Sequence, residues 1–236
     1  MYKYILFDLD GTLTNPEIGI TNCVMYALEK FGIKVEDRKE LHPFIGPPLS
    51  YSFQTYYGLS EEDSELAIKY YRERFSVKGL YENEVYNGVE KVLQQLKESG
   101  KTLIIATSKP EEFTLKILEH FDLLKYFDFV AGATMDGSRG EKADVIRYAL
   151  EISGIEDKSE AIMIGDRKYD VLGAKENGLE SIGVLFGFGD HKELAEAGEK
   201  TADGKPIIDI TSDNSLYGDF CSQDSSFYRL VPVYNT

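Results

Sequence analysis

The chain has 236 residues, 42% of them hydrophobic and 28% charged, with 26 basic against 41 acidic side chains for a formal net charge of −15. Such a length suits one large domain or a domain carrying a smaller one, and the apolar content is ample for a core. The acidic excess argues against nucleic acid polymers and anionic membranes as partners, because phosphate-bearing surfaces are gripped by basic ones; a small anionic substrate fits only where cations reverse the local field.

The first apolar run, "YILF" (4–7), predicts a strand that ends on Asp8, with Asp10 two residues on. No signal peptide is expected, since "MYKYILFDLD" reaches Asp8 before any long apolar run. From Pro16 to about Leu80 only helical patterns occur, at 17–32, 49–58 and 60–79, the last opened by Ser60 as N-cap with acids at 61–63. This stretch predicts an all-helical insertion hinged at 14–16 and 80–88. Asn87 then starts a helix whose Val89, Val92, Leu93 and Leu96 share one face, and Gly100 stops it.

Strand-length runs follow at 102–107, 127–132, 160–165 and 181–187, with helical patterns at 110–121, 141–154 and 169–178 between them. The runs lack clean alternation, as strands covered on both faces do. Pro110 suits the first turn of its helix, and Glu111 and Glu112 suit its dipole. Strand–helix alternation predicts an α/β fold with a doubly wound parallel sheet. The expected organisation is a core of residues 1–15 and 82–210, a small helical cap domain at 16–81, and an atypical tail at 211–236. "PIIDI" (206–210) is a strand candidate, and "FYRLVPVY" (227–234) reads as an edge strand because Pro232 excludes a central one.

In open α/β sheets, ligands bind beyond the carboxyl ends of the strands. Those ends deliver Asp8 and Asp10, then Thr107, Ser108 and Lys109, then Gly165 and Asp166, with Asp170 a helical turn later and Lys142 near the start of a helix. Several carboxylates sharing one small site require a divalent cation, and hard oxygen donors with few nitrogens suggest Mg²⁺. Cys23 and Cys221 lie far apart without CxxC spacing and read as reduced thiols of a cytoplasmic protein. No window approaches the roughly 18 apolar residues of a membrane span.

"DLDGT" after an apolar strand, "TSK", a spaced lysine and "GDRKYD" together resemble the four motifs of the haloacid dehalogenase superfamily, and the insertion after the first motif resembles its small helical cap. The likeness spans about residues 3–195 and is strongest to the phosphoglycolate phosphatase and 5′-nucleotidase-like branch. It implies a Mg²⁺-dependent phosphatase of small metabolites. Asp8 would be the nucleophile. Asp10 would be acid and base, Thr107 and Ser108 would hold phosphoryl oxygens, and Lys142 would balance charge. Asp8, Asp166 and the Asp10 carbonyl would hold the metal, with Asp170 orienting metal waters or Lys142. The tail departs from the family, which usually ends on a helix.

Each feature has a structural alternative. Asp10-Gly11-Thr12 forms an ordinary turn elsewhere, Asp166 and Asp170 suit a helix start, Thr107 and Ser108 suit N-caps, and Lys142 suits a solvated surface. Only their joint occurrence carries the reading. A phosphotransferase of the β-phosphoglucomutase type, an inorganic pyrophosphatase and a non-catalytic phosphate-binding module are the alternative functions, and monomer or dimer is left open. Within the insertion, "FIGPPL" (44–49), with Ile45 and Leu49, and the cations Arg72, Arg74 and Lys78 are the candidates for substrate discrimination. His42, His120 and His191 show no ligand spacing.

Overall fold

The computed structural model describes residues 2–198; the strand candidate at 206–210, the tail at 211–236 with its strand candidate at 227–234, and Cys221 lie outside the described residues. Five parallel strands form the main sheet: β1 (Tyr4–Phe7), β4 (Thr102–Pro110), β5 (Phe129–Ala133), β6 (Ala161–Gly165) and β7 (Glu180–Gly183), in the order β5-β4-β1-β6-β7. β1 is central, and its residues pair with β4 on one side and β6 on the other. The chain winds outward first through β4 and β5, then back across to β6 and β7. The order therefore reverses between β1 and β6, where ligands bind in such sheets.

The apolar runs alternate between two cores, as strands covered on both faces must. Ile5 and Phe7, Leu103 and Ile105, and Ile162 and Ile164 face one core. Leu6, Ile104, Ala106 and Met163 face the other, under α6 (Lys142–Ser153) and α7 (Lys168–Glu176). The first face is covered by α4 (Val89–Glu98) and α5 (Glu111–His120). In α4 the expected face of Val89, Val92, Leu93 and Leu96 is the buried one, although the N-cap is Gly88 rather than Asn87.

Two strands not expected from the sequence, β2 (Thr14–Asn15) and β3 (Glu84–Val85), pair antiparallel and join the two hinge segments. Between them lie α1 (Glu17–Glu29), a 3-10 turn (Arg38–Phe44), α2 (Leu49–Tyr57) and α3 (Glu61–Arg74), which runs into a π-helical turn at Phe75–Gly79. Ser60 caps α3 as expected, accepting the Asp63 N–H at 3.0 Å. The apolar interior of this helical stretch, including Leu28, Phe44, Ile45 and Phe53, is continuous with the first-face core of the sheet.

Several elements differ from the sequence reading. β4 extends past 107 to Pro110, with its pairing to β5 shifting between Thr107 and Pro110, and Thr107 and Lys109 are buried there. β7 ends at Gly183, short of the expected 187. A further helix, α8 (His191–Ala197), follows it, capped by Asp190 accepting the Glu193 N–H at 2.8 Å. The Asp190–Glu193 spacing is a helix-start signature that pattern reading passed over.

Among the described residues no helix is long and apolar enough to cross a membrane. Leu93 is fully buried in α4, so Leu93→Ala is expected to cost about 2–5 kcal/mol. At about 2–4 °C per kcal/mol for a chain of this size, thermal unfolding followed by circular dichroism should register a clear fall in Tm.

Candidate active site

Four carboxylates converge where β1 meets β6, and all four are buried: Asp8, Asp10, Asp166 and Asp170. Oxygens of Asp8, Asp166 and Asp170 lie within 4.8 Å of one another. Two buried ammonium groups answer them. Lys142, the first residue of α6, reaches Asp8 Oδ1 at 2.8 Å and Asp170 Oδ1 at 2.7 Å and donates to the Ala106 carbonyl at 3.1 Å. Lys109 reaches Asp10 Oδ2 at 2.5 Å. Sequence reading noted Lys109 within "TSK" without giving it a task; its pairing follows from the irregular end of β4, which local pattern does not reveal.

Each carboxylate is held in a definite orientation. Asp166 accepts the Phe188 N–H at 2.8 Å and the Thr12 hydroxyl at 3.3 Å. Asp170 Oδ2 accepts the Arg167 N–H at 3.0 Å. Gly11, between Asp10 and Thr12, has φ +86, and a Cβ there would collide with the Asp166 carboxylate. Only glycine allows the turn after β1 to press this closely on Asp166.

Electrostatics follow from burial. Desolvation, then Asp170 and Asp8, push Asp166 well above the ordinary carboxylate range. Asp170 is pushed up to about 6 by burial, with Lys142 pulling against it. Burial also raises Asp10, opposed by Lys109. Burial disfavours the Lys142 ammonium, but Asp170 and then Asp8 outweigh it and hold its pKa above an ordinary lysine.

These residues fit a divalent cation. Four buried carboxylates face two ammonium groups, and the donors are hard oxygens free of histidine or thiolate. The Asp10 Oδ1 atom is buried without a hydrogen-bond partner among the described residues. Asp10 differs from the other three, since its carboxylate turns to Lys109 and lies outside the three-carboxylate cluster. Asp170 belongs to that cluster while also bound by Lys142 and the Arg167 N–H.

Above the strand ends lies a cavity of about 620 Å³, lined by Asp8, Asp10, Thr107 and Ser108 from the sheet and by Phe44, Gly46–Ser50 and α3 from the helical stretch. The Thr107 hydroxyl accepts the Lys109 N–H at 3.3 Å. Phe75, on the π-helical turn, sets its ring 4.8 Å from the Lys109 ammonium and stacks on Tyr71 at 5.2 Å.

Of the candidates for discrimination, Phe44, Gly46, Pro47, Pro48, Leu49 and Arg72 reach the cavity. Arg74 instead forms a two-point ion pair with Glu82 at 2.6 and 2.8 Å. Ile45 is fully buried in the core rather than on the lining, so its replacement tests stability and not selectivity. His42 accordingly serves a local role, 2.9 Å from Glu17 with its ring edge-on to Phe188.

An acidic, lysine-braced site at the reversal point of a parallel α/β sheet, closed over by inserted helices, suits metal-assisted chemistry on an anionic substrate. The haloacid dehalogenase-like hydrolase family model matches residues 5–184, and the chain belongs to that family. It is 46% identical over 193 residues to a 5′-nucleotidase of Pseudomonas aeruginosa, covering 82% of this chain and 87% of that one. The crystal structure of a predicted phosphatase from Clostridium acetobutylicum superposes with TM-score 0.85 at 50% identity, covering 92% and 97% of the two chains. A Mycobacterium tuberculosis protein named tyrosine-protein kinase PtkA is 37% identical over 188 residues, 79% of this chain and 63% of that one. The chain is thus a phosphatase-type member of the family.

Removing Lys109 would leave the Asp10 carboxylate buried without its cation, a loss of about 3–5 kcal/mol for a broken buried pair. In Lys109→Met, Asp10 would have a folded pKa raised further above its unfolded value. Its contribution to stability is then present at low pH and lost as pH rises through that folded pKa. Urea unfolding of the metal-free protein should show a larger deficit against wild type at pH 7 than at pH 5.

Proposed function

We propose that this chain is a Mg²⁺-dependent phosphatase that hydrolyses a phosphate monoester of a small metabolite through an aspartyl-phosphate on Asp8. The observation that carries the reading is Asp8 itself: a buried carboxylate at the end of the central strand, paired with Lys142 and opening on the cavity with Asp10 two residues away.

In this reading the substrate phosphoryl group lies over Asp8, with its oxygens accepting from the Thr107 hydroxyl and the Ser108 main-chain N–H. An Asp8 oxygen attacks phosphorus in line, the ester P–O bond breaks, and the leaving alkoxide takes a proton from Asp10. Asp10, now a carboxylate, removes a proton from water, which attacks the phosphorus of the acyl phosphate. Phosphate leaves and Asp8 is restored. Lys109 keeps Asp10 aimed at the leaving oxygen, a task its 2.5 Å contact supports. Lys142 balances the charge that gathers on the phosphoryl oxygens and Asp8. Mg²⁺, held by Asp8, Asp166 and the Asp10 carbonyl with Asp170 behind them, would supply neutralisation of Asp8 and polarisation of a phosphoryl oxygen.

The helical stretch 16–81 acts as a cap whose wall over the strand ends limits substrates to small esters, consistent with the cavity volume of about 620 Å³. The relative named 5′-nucleotidase favours a nucleoside 5′-monophosphate, and the family likeness read from the motifs favours phosphoglycolate equally. Transfer to an organic acceptor instead of water is the second reading, favoured by the relative named a tyrosine-protein kinase.

Purified protein should release inorganic phosphate from p-nitrophenyl phosphate with Mg²⁺, equimolar with p-nitrophenol. Chelation by EDTA should stop it, and Asp8→Asn should reduce it by about 10³-fold or more, the scale of losing a nucleophile. Activity surviving Asp8→Asn removes Asp8 as the nucleophile. Phosphate falling short of nitrophenol when alcohols are added would favour the transferase.

A further inference from the structure

The Arg167 side chain, inside "GDRKYD", is 8% exposed and reaches the helical stretch and α8. Its Nη1 donates to the main-chain carbonyl of Ile45. Its Nε and Nη2 donate to the two oxygens of Glu193, on α8, at 2.8 and 3.4 Å. Glu193 is itself held, since the same Oε1 accepts the Lys168 N–H at 3.0 Å. One planar fork therefore ties α8 to the loop that forms the cavity wall.

The loop is shaped for this contact. Gly46 has φ +110, and a Cβ there would come 3.1 Å from Arg167 Cγ and 3.3 Å from its Nη1. A side chain at 46 would strain the backbone and crowd the arginine together. Directly after it, Pro47, Pro48 and Leu49 line the cavity. The prolines stiffen the wall, so holding one carbonyl at its start holds the whole segment.

A second contact runs beside the first. The His42 ring packs edge-on against Phe188 at 5.7 Å between centroids. The core partners of both contacts also orient the carboxylates: the Arg167 N–H donates to Asp170, and the Phe188 N–H to Asp166. The wall thus rests on the two residues whose backbones set the acidic cluster.

We propose that Arg167 is a positioning residue: by holding the Ile45 carbonyl it seats the Phe44–Leu49 wall over the strand ends and so determines which leaving groups fit. The proposal rests on the phosphatase reading for its substrate readout. A leaving group too large for the seated wall can enter only by lifting it, which breaks the Arg167–Ile45 bond. Selectivity then reflects the strength of one seating contact as well as the shape of the wall.

Arg167→Lys keeps a cation beside Glu193 but loses the planar fork whose separate nitrogens reach Glu193 and Ile45, and Arg167→Met removes both bonds. If Arg167→Met fails to fold, Arg167→Lys serves in its place. Each full-length protein with Mg²⁺ is assayed on phosphoglycolate, a small ester, and p-nitrophenyl phosphate, a bulkier one. Hydrogen–deuterium exchange is followed on peptides spanning 42–57 and spanning β1 and β6. The ratio of kcat/KM should shift by about tenfold or more towards the bulkier ester, on the scale of one pocket contact. Exchange should rise in 42–57 and stay unchanged in β1 and β6. An unchanged ratio, with both esters losing activity equally, overturns the proposal, as does unchanged exchange in 42–57. If wild type releases phosphate from neither ester, the phosphatase reading falls instead, and exchange alone decides whether Arg167 seats the wall.

Discussion

Crowding of negative charge at the end of the central strand is the constraint on which the other features depend. Desolvating four carboxylates within one site opposes folding, and two buried lysines offset only part of that cost. The fold assembles what remains from backbone donors and geometry. Gly11 lets the turn after β1 lie against Asp166, and main-chain N–H groups of Arg167 and Phe188 fix Asp170 and Asp166. The residual charge imbalance is what suits the place to a divalent cation and, through it, to a phosphate ester.

The two lysines divide the acids into pairs with different environments. Lys142 bridges Asp8 and Asp170, and Asp8 lines the cavity. Lys109 isolates Asp10 from the cluster, with the Phe75 ring packed against the ammonium. Placing neighbouring carboxylates in unlike surroundings is the general means of giving one a nucleophile's part and the other an acid's. That Phe75 sits on a π-helical turn of the inserted helices shows how the insertion reaches into this arrangement, consistent with the frequent occurrence of such turns near functional sites.

Much of this was legible in the chain. The apolar runs located all five sheet strands, because strands buried on both faces must be continuously apolar, and the residues at their ends named Asp8, Asp10, Thr107, Ser108, Asp166 and Asp170 before any fold was known. Lys142 followed from its place at a helix start. Less legible were β2 and β3, two residues each, whose pairing depends on a partner some 70 residues away. The helix α8 was missed despite its capping pair, since attention to apolar periodicity passes over a seven-residue helix. Ile45 was misassigned because "FIGPPL" looks like a loop, and only packing decides which of its side chains turns inward.

By itself, then, the sequence determined the parallel α/β sheet, its helical insertion and the carboxylates at the strand ends, for these follow from local periodicity and from the strand-end rule. Tertiary structure alone decided the pairings: Lys109 with Asp10, Lys142 across Asp8 and Asp170, and Arg167 between Glu193 and the Ile45 carbonyl. The reason is physical. A charged side chain's partner is chosen by desolvation and distance among groups remote in the chain, and neither quantity exists until the sheet and helices have packed.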